Sequence, residues 1–318
     1  MKNLLYYVKT GILKLTAAFF AAAVFVSGYA GNIPVNAQTS IYNAITDETT
    51  GLKYVIDGNS GSFSAVICGY DSAKAGPGIT IPATISEVKY PVTGIYAQAF
   101  MNSNITSVAM GDGVQTIGEG AFRNCKSLTT VSFSNKIKEI PASAFDGCSA
   151  LTTLNLPSSL ETIGYSAFYG CSSVKTVTFP SGTLTSIGQS AFYGCSSLEK
   201  ADIPESVNSV GMSAFEGCSA MKTVTLPSAL RSIDDHCFRN CSSLVGVTIP
   251  ENVQIIGVSA FEGCTTLTTV TIPAKVAAVR DYAFSGCKML AGVSVPYDLS
   301  DIGYNAFYNS PAELFGYA

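Results

Sequence analysis

Apolar, small and polar residues recur in one fixed order along most of this chain, and a single large side chain marks the period. Phe100, Phe122, Phe145, Phe168, Phe192, Phe215, Phe238, Phe261, Phe284 and Phe307 follow one another at intervals of 22, 23, 23, 24 and then 23 residues five times. A unit of this length cannot bury its own apolar face, so neighbouring units must stack into one continuous core. Five residues before each Phe stands a β-branched apolar residue, from Ile95 and Ile117 through Val210 to Ile302, which fits a buried, extended stretch. One residue before it stands Ala, or Cys237 in one unit, which implies a backbone passing too close for a larger side chain. Two residues after it only Gly or Asn occurs, from Asn102 and Asn124 to Gly286 and Asn309. Both tolerate positive φ, so the short turn around each Ala-Phe pair ends in a left-handed cap.

After the cap, apolar and small polar residues alternate, as in Leu151-Thr-Thr-Leu154-Asn-Leu156-Pro157 and Leu267-Thr-Thr-Val270-Thr-Ile272-Pro273. This is a strand signature, and the closing Pro, which cannot donate to a ladder, marks where pairing stops. A further apolar residue (Leu160, Val207, Leu230, Val253, Val276, Leu299) leads back to the next Ile, and an extra residue near Ser181-Gly182-Thr183 moves that place to Leu184. Parallel stacking at about 4.8 Å then brings equivalent places side by side. The place after each Phe reads Arg123, Asp146, Tyr169, Tyr193, Glu216, Arg239, Glu262, and a second row reads Lys175, Glu199, Lys222. Alternating signs predict surface ion-pair ladders worth a few tenths of a kcal/mol each. The adjacent Tyr169 and Tyr193 form a candidate contact patch.

The unit, roughly I-G-x-S-A-F-x-G-C-S-S-L-x-x-V-x-I-P-x-x-V, resembles the BspA-like leucine-rich repeat family of bacterial surface proteins over about Ile79 to Ser310. The resemblance implies an α/β repeat fold: a right-handed leucine-rich-repeat solenoid with its parallel sheet on the concave face and a short helical or 3-10 turn in each 23-residue unit. It also implies adhesion or recognition outside the cell, with matrix-type host proteins as partners, and it transfers no fixed site residues. Pro141 and Arg280 depart from the pattern in place of Gly, as do Ser103 and Ser310 in place of Cys.

Residues 1–37 read as a signal peptide, with Lys2, Lys9 and Lys14 before the uncharged run Leu15 to Val26 and small residues at Val35-Asn36-Ala37. Cleavage after Ala30, or retention as a signal anchor, are the alternatives; the apolar run is short for a membrane span. Its removal leaves 15 basic and 22 acidic residues, a net charge of −7, which disfavours nucleic acid and anionic membranes as partners. Residues 38–78 contain two strand-like runs around a Gly-rich turn, a hairpin expected to cap the open end of the core. Residues 79–310 are the solenoid. In the tail, 311–318, no full strand is expected, and either Leu314 and Phe315 fold over the last unit or this end is frayed or continues in a longer protein.

Ten Cys in an exported chain ordinarily point to disulfides. Eight of them (Cys125, Cys148, Cys171, Cys195, Cys218, Cys241, Cys264, Cys287) share one repeat position, where parallel Cβ vectors suit the S–S dihedral badly. They are expected to form a buried structural ladder of reduced thiols, with some bridged pairs as the alternative. Asp234-Asp235-His236-Cys237 holds the only His, yet both Cys237 and Cys241 already have packing roles, and no metal or cofactor is expected. A single His on a smooth solenoid also argues against a Ser-His-acid set, so no enzyme is expected.

The outward strand residues remain as the working surface. Hydroxyls dominate them, and Thr153, Thr176, Thr178, Thr223 and Thr225 surround the charged pair Lys200 and Asp202. Thr and Ser also simply suit exposed strands, so solubility alone is the competing explanation. The reading is a bacterial secreted or cell-surface binding protein that takes an extracellular protein or glycan on this face. Its rival is an assembly role through the C-terminal edge.

Overall fold

Most repeats form two short strands, not one, and these pair in parallel with the equivalent strands of neighbouring coils. The computed structural model describes residues 44–59, 62–85 and 89–317; the predicted signal peptide lies outside the described residues. One row of strands comes from the alternating segments: Ser107–Met110, Thr130–Ser132, Thr153–Asn155, Thr176–Thr178, Lys200–Asp202, Thr223–Thr225, Thr269–Thr271 and Gly292–Pro296. The other comes from the β-branched place five residues before each Phe: Thr116–Ile117, Glu139–Ile140, Thr162–Ile163, Ser186–Ile187, Ser209–Val210, Ser232–Ile233, Ile255–Ile256, Ala278–Val279 and Asp301–Ile302. Partners sit one repeat apart, Thr153 opposite Thr176 and Thr162 opposite Ser186. The extra residue of the 24-residue unit is absorbed at Gly182 (φ 93), with open space around it, and Leu184 is fully buried.

In-register stacking aligns the core side chains into columns. The ten Phe rings form one spine, each parallel to the next within 2–13° with centroids 5.0–5.7 Å apart. Nine of them are at most 1% exposed, and Phe307 is partly buried. Such offset parallel pairs add about 0.5–1.5 kcal/mol each beyond the area they bury.

The expected helical turn around Ala-Phe is corrected: among the described residues no helix forms. Two left-handed residues bracket every Phe. The place two after it has φ between 56° and 74°, and the place two before it, usually Ser, lies between 51° and 60°. A right-handed helix cannot pass through them. Backbone donors instead alternate between a local turn and the next coil: Ala121 N–H bonds Gly118 O at 3.2 Å, while Phe122 N–H reaches Ala144 O at 2.8 Å.

Glycine four residues before Phe has a different cause. A Cβ added at Gly118, Gly164, Gly188, Gly211, Gly257 or Gly303 would fall 2.2–2.9 Å from backbone atoms of the preceding coil. Each of these residues donates its N–H across the ladder, as Gly188 does to Ile163 O at 2.8 Å. Arg280 still makes the bond, to Ile256 O at 2.9 Å, but Pro141 has no N–H to give to Ile117 O. The second sheet breaks at that point, between Thr116–Ile117 and Glu139–Ile140. It breaks again between Ser209–Val210 and Ser232–Ile233, where Asp234 stands in the glycine place.

At the N-terminal end, Leu52–Asn59 and Ser62–Tyr70 pair antiparallel, and the latter continues into the solenoid by parallel pairing with Val92–Ile95. Leu52, Tyr54, Ala65 and Ile67 are buried in the same core, and Tyr70 lies 5.5 Å from the first spine ring, Phe100. At the other end the tail forms a strand after all: Glu313–Tyr317 pairs in parallel with Gly292–Pro296. It had been obscured because it lacks the closing Pro and because its register lies 21 residues from its partner, Gly292 opposite Glu313. Leu314 and Phe315 do not fold over the last unit but remain exposed.

Candidate functional site

The alternation of the first strand row determines what faces outward. In Thr153–Asn155 and Thr223–Thr225 the central residue is buried and the two flanking residues are exposed. Stacking brings Thr153 beside Thr176, Lys200 beside Thr223, and Asp202 beside Thr225. Side chains then bond along the solenoid, with Thr178 Oγ1 donating to Asn155 Oδ1 at 3.3 Å and Thr225 Oγ1 to Asp202 Oδ1 at 3.1 Å. Lys200 Nζ lies 2.9 Å from Asp202 Oδ2, so the charged feature is a neutralised pair on one strand. The row is interrupted three times: no ladder joins Thr130–Ser132 to Thr153–Asn155 or Thr176–Thr178 to Lys200–Asp202, and the coil after Thr223–Thr225 pairs through the single bridge Thr223 to Gly246.

Tyr169 and Tyr193 lie on the Ala-Phe turns, apart from the strand row. Their rings stack at 4.6 Å and 3°, with Tyr169 the more exposed. Partial burial raises the Tyr169 hydroxyl pKa, and the neighbouring Tyr193, Asp146 and Glu216 add to the effect. Ion pairs flank the stack: Arg123 with Asp146 at 3.0 Å, and Arg239 with Glu216 at 3.6 Å and with Glu262 at 2.9 Å. In the second charge row Lys222 meets Glu199 at 3.3 Å, and among the described residues no ion pair joins Lys175 to Glu199.

The eight ladder cysteines are fully buried, and each thiol points at the carbonyl of the Phe one coil earlier, with Sγ···O distances of 3.0–3.3 Å. That carbonyl also accepts the N–H of its own coil's cysteine, as Phe145 O does from Cys148 at 3.1 Å. Only a protonated thiol can donate this bond; a disulfide sulfur has no hydrogen to give. Burial pushes the thiols of Cys171, Cys195, Cys218, Cys241, Cys264 and Cys287 up, those of Cys195, Cys241 and Cys287 to about 12, whereas at the start of the column a hydrogen bond between Cys125 and Cys148 lowers the first and raises the second. Ser103, standing in the Cys place, extends the column by pairing with Cys125 Sγ at 3.2 Å.

The acidic segment beside His236 is occupied with turn bonds. Asp234 accepts from Ser232 Oγ at 2.6 Å, and Asp235 from Val258 N–H at 2.7 Å. Among the described residues no three His, Cys, Asp or Glu side chains gather as a metal site.

A family model described as BspA type leucine rich repeat region matches in six copies over residues 93–222 and 208–315, more than half of the chain. The chain belongs to the BspA-type leucine-rich repeat family. Among solved structures it is similar to a leucine-rich repeat protein of T. pallidum, at 26% identity over 68% of this chain and 88% of that one, with a TM-score of 0.47. It is likewise similar to a leucine rich cell surface protein of Faecalibacterium prausnitzii, at 24% identity over 87% and 95%, TM-score 0.45. The pneumococcal vaccine antigen PcpA matches at 16% identity over 87% and 99%, TM-score 0.45. No curated protein matches the chain in sequence.

Two regularities of this BspA-type array escaped the sequence reading. Four residues after Phe168, Phe192, Phe215, Phe238 and Phe261, a hydroxyl ladder runs outside the thiol column: Ser196 Oγ to Ser172 O, Ser219 to Ser196, Ser242 to Ser219 and Thr265 to Ser242, at 3.0–3.4 Å. The recurring Ser two residues before Phe was visible, but Ser does not advertise positive φ as Gly and Asn do.

Proposed function

We propose that this BspA-type repeat protein is a bacterial secreted or cell-surface binding protein, adhesin-like, which holds an extracellular protein or glycan against its first strand row. The observation that carries this reading is the outward face of four successive coils. There Thr153, Thr176, Thr178, Lys200, Asp202, Thr223 and Thr225 are all exposed, while Leu154, Ala201 and Val224 between them are buried. Such a face offers donors and acceptors at a fixed spacing on a rigid support, with little entropy to lose on binding. Tyr169 and Tyr193 supply a second, aromatic anchor on the turns. The amino-terminal leader pattern supports export.

Solid-phase binding of the chain to a panel of matrix proteins and glycans tests this. Saturable binding to one member, weakened by the double substitution Lys200→Ala/Asp202→Ala or by Tyr169→Ala, is the expected result. Absence of saturable binding across a broad panel refutes it.

A second reading is self-association, favoured by the exposed side chains near the last strand, Leu314, Phe315, Ile302 and Tyr304. Concentration-dependent dimers or filaments in sedimentation, removed by Leu314→Asp/Phe315→Asp, would establish it; a stable monomer rejects it.

A further inference from the structure

The break in the second sheet at Pro141 opens a groove of about 700 Å³. Where the coils on either side close with the N–H of Gly118 or Gly164, among the described residues no backbone donor reaches Ile117 O here, and no backbone bond links Lys138 N–H to Gln115 O, although Glu161 N–H makes the equivalent bond to Lys138 O at 2.7 Å in the next coil. The groove runs along that seam and is lined by Gln115, Asn135, Lys136, Lys138, Glu139 and Ser159, with Thr116 and Ile117 at its wall. Its volume is that of a small-ligand site.

The side chains define what it can hold. Lys138 is engaged, 2.8 Å from Glu161. Ser159 Oγ donates to Ile137 O at 2.6 Å and keeps its lone pairs for an acceptor role. Lys136 and Glu139 form no ion pair with each other or with any other described residue. One free ammonium therefore stands among two carboxamides, a hydroxyl and a carboxylate, with no aromatic ring in the lining. Vicinal hydroxyls that both donate and accept match the amides and Glu139, and a carboxylate among them matches Lys136; the denser charge of a sulfated chain would meet Glu139 and the chain's overall acidity.

We propose that this seam is a site for an acidic oligosaccharide, a short chain carrying uronate carboxyls among its hydroxyls. The site is separate from the strand row and stands or falls independently of the reading given for that face. Pro141 acts by keeping the coils unladdered, and Lys136 by contacting the carboxylate.

Isothermal titration of the chain with tetragalacturonate, a neutral cello-tetrasaccharide and a sulfated heparin tetrasaccharide tests the assignment. Tetragalacturonate is expected to bind saturably and the neutral chain at least about tenfold more weakly. Lys136→Gln should weaken tetragalacturonate by a similar factor. Pro141→Gly, which restores the N–H and removes no lining side chain, should close the seam and abolish binding, with slowed amide exchange at Lys138 reporting the closure and far-UV circular dichroism the intact fold. No saturable binding of tetragalacturonate at millimolar concentration, equal affinity for the neutral chain, tightest binding of the sulfated chain, or affinity unchanged by either variant overturns the proposal.

Discussion

Removing one ring from the middle of the Phe spine should cost far more than removing one from its end. Phe215 is fully buried and stacks on Phe192 at 5.3 Å and Phe238 at 5.7 Å; Phe307 is partly buried and, among the described residues, stacks on Phe284 alone, at 5.4 Å. Truncating a buried Phe costs about 3–5 kcal/mol in transfer and cavity terms, and two lost stackings place Phe215→Ala at the upper part of that range. With one neighbour and less area to lose, Phe307→Ala should cost about half as much. In a stacked array stability is a sum over neighbouring interfaces, so the central variant weakens two and the terminal one only one. Urea unfolding followed by far-UV circular dichroism measures both, and the central variant should also broaden the transition as the array loses cooperativity. Equal costs for the two variants, or a central cost below about 1.5 kcal/mol, would refute the nearest-neighbour reasoning.

Gly188→Ala should destabilise by about 1–3 kcal/mol, because its methyl would lie 2.8 Å from Gly164 C; thermal unfolding checks this, and an unchanged midpoint contradicts it. The thiol column predicts alkaline sensitivity. Burial raises the folded pKa of Cys195, Cys241 and Cys287 to about 12 from the ordinary thiol value of 9.0, so their contribution is complete below pH 9 and falls as pH rises towards 12, at up to about 1.4 kcal/mol per pH unit for each thiol. Chemical denaturation at stepped pH should show stability dropping above pH 9, and flat stability to pH 11 would count against the buried column. A thiol titration should find the eight ladder cysteines unreactive in the folded chain and reactive once denatured; far fewer than eight on denaturation would mean bridged pairs. A double-mutant cycle at Tyr169 and Tyr193 should return a coupling of about 0.5–1.5 kcal/mol, and additive single effects would show that the stack contributes nothing.

The period of the Phe residues was sufficient to define the solenoid, because stacked coils place like positions against like and so impose one size at each place. Ala before Phe, Gly or Asn after it and the cysteine column follow from that rule. Local conformation was less legible. Ser166 and Ser213 reach φ of 51° and 55° because inter-coil hydrogen bonds dictate their backbone, an effect outside their own chemistry. The second sheet hid behind two-residue strands such as Thr162–Ile163, too short for alternation to register. Pro141 stood out as a departure, but only the coil against which it stacks reveals the donor it withholds. The outward threonines read the same whether a ligand lies on them or water does, which is why the binding face rests on placement and the fold on period.

Amide hydrogen exchange at the ten Phe positions tests the stacked, in-register array most directly. The N–H groups of Phe100 through Phe284 in this spine each donate to the following coil, at 2.7–2.9 Å, whereas among the described residues no bond of that kind is made by Phe307. The account predicts strong protection at the first nine and rapid exchange at Phe307. Equal protection at all ten, as local helical turns would give, or fast exchange in the middle of the series, would contradict it.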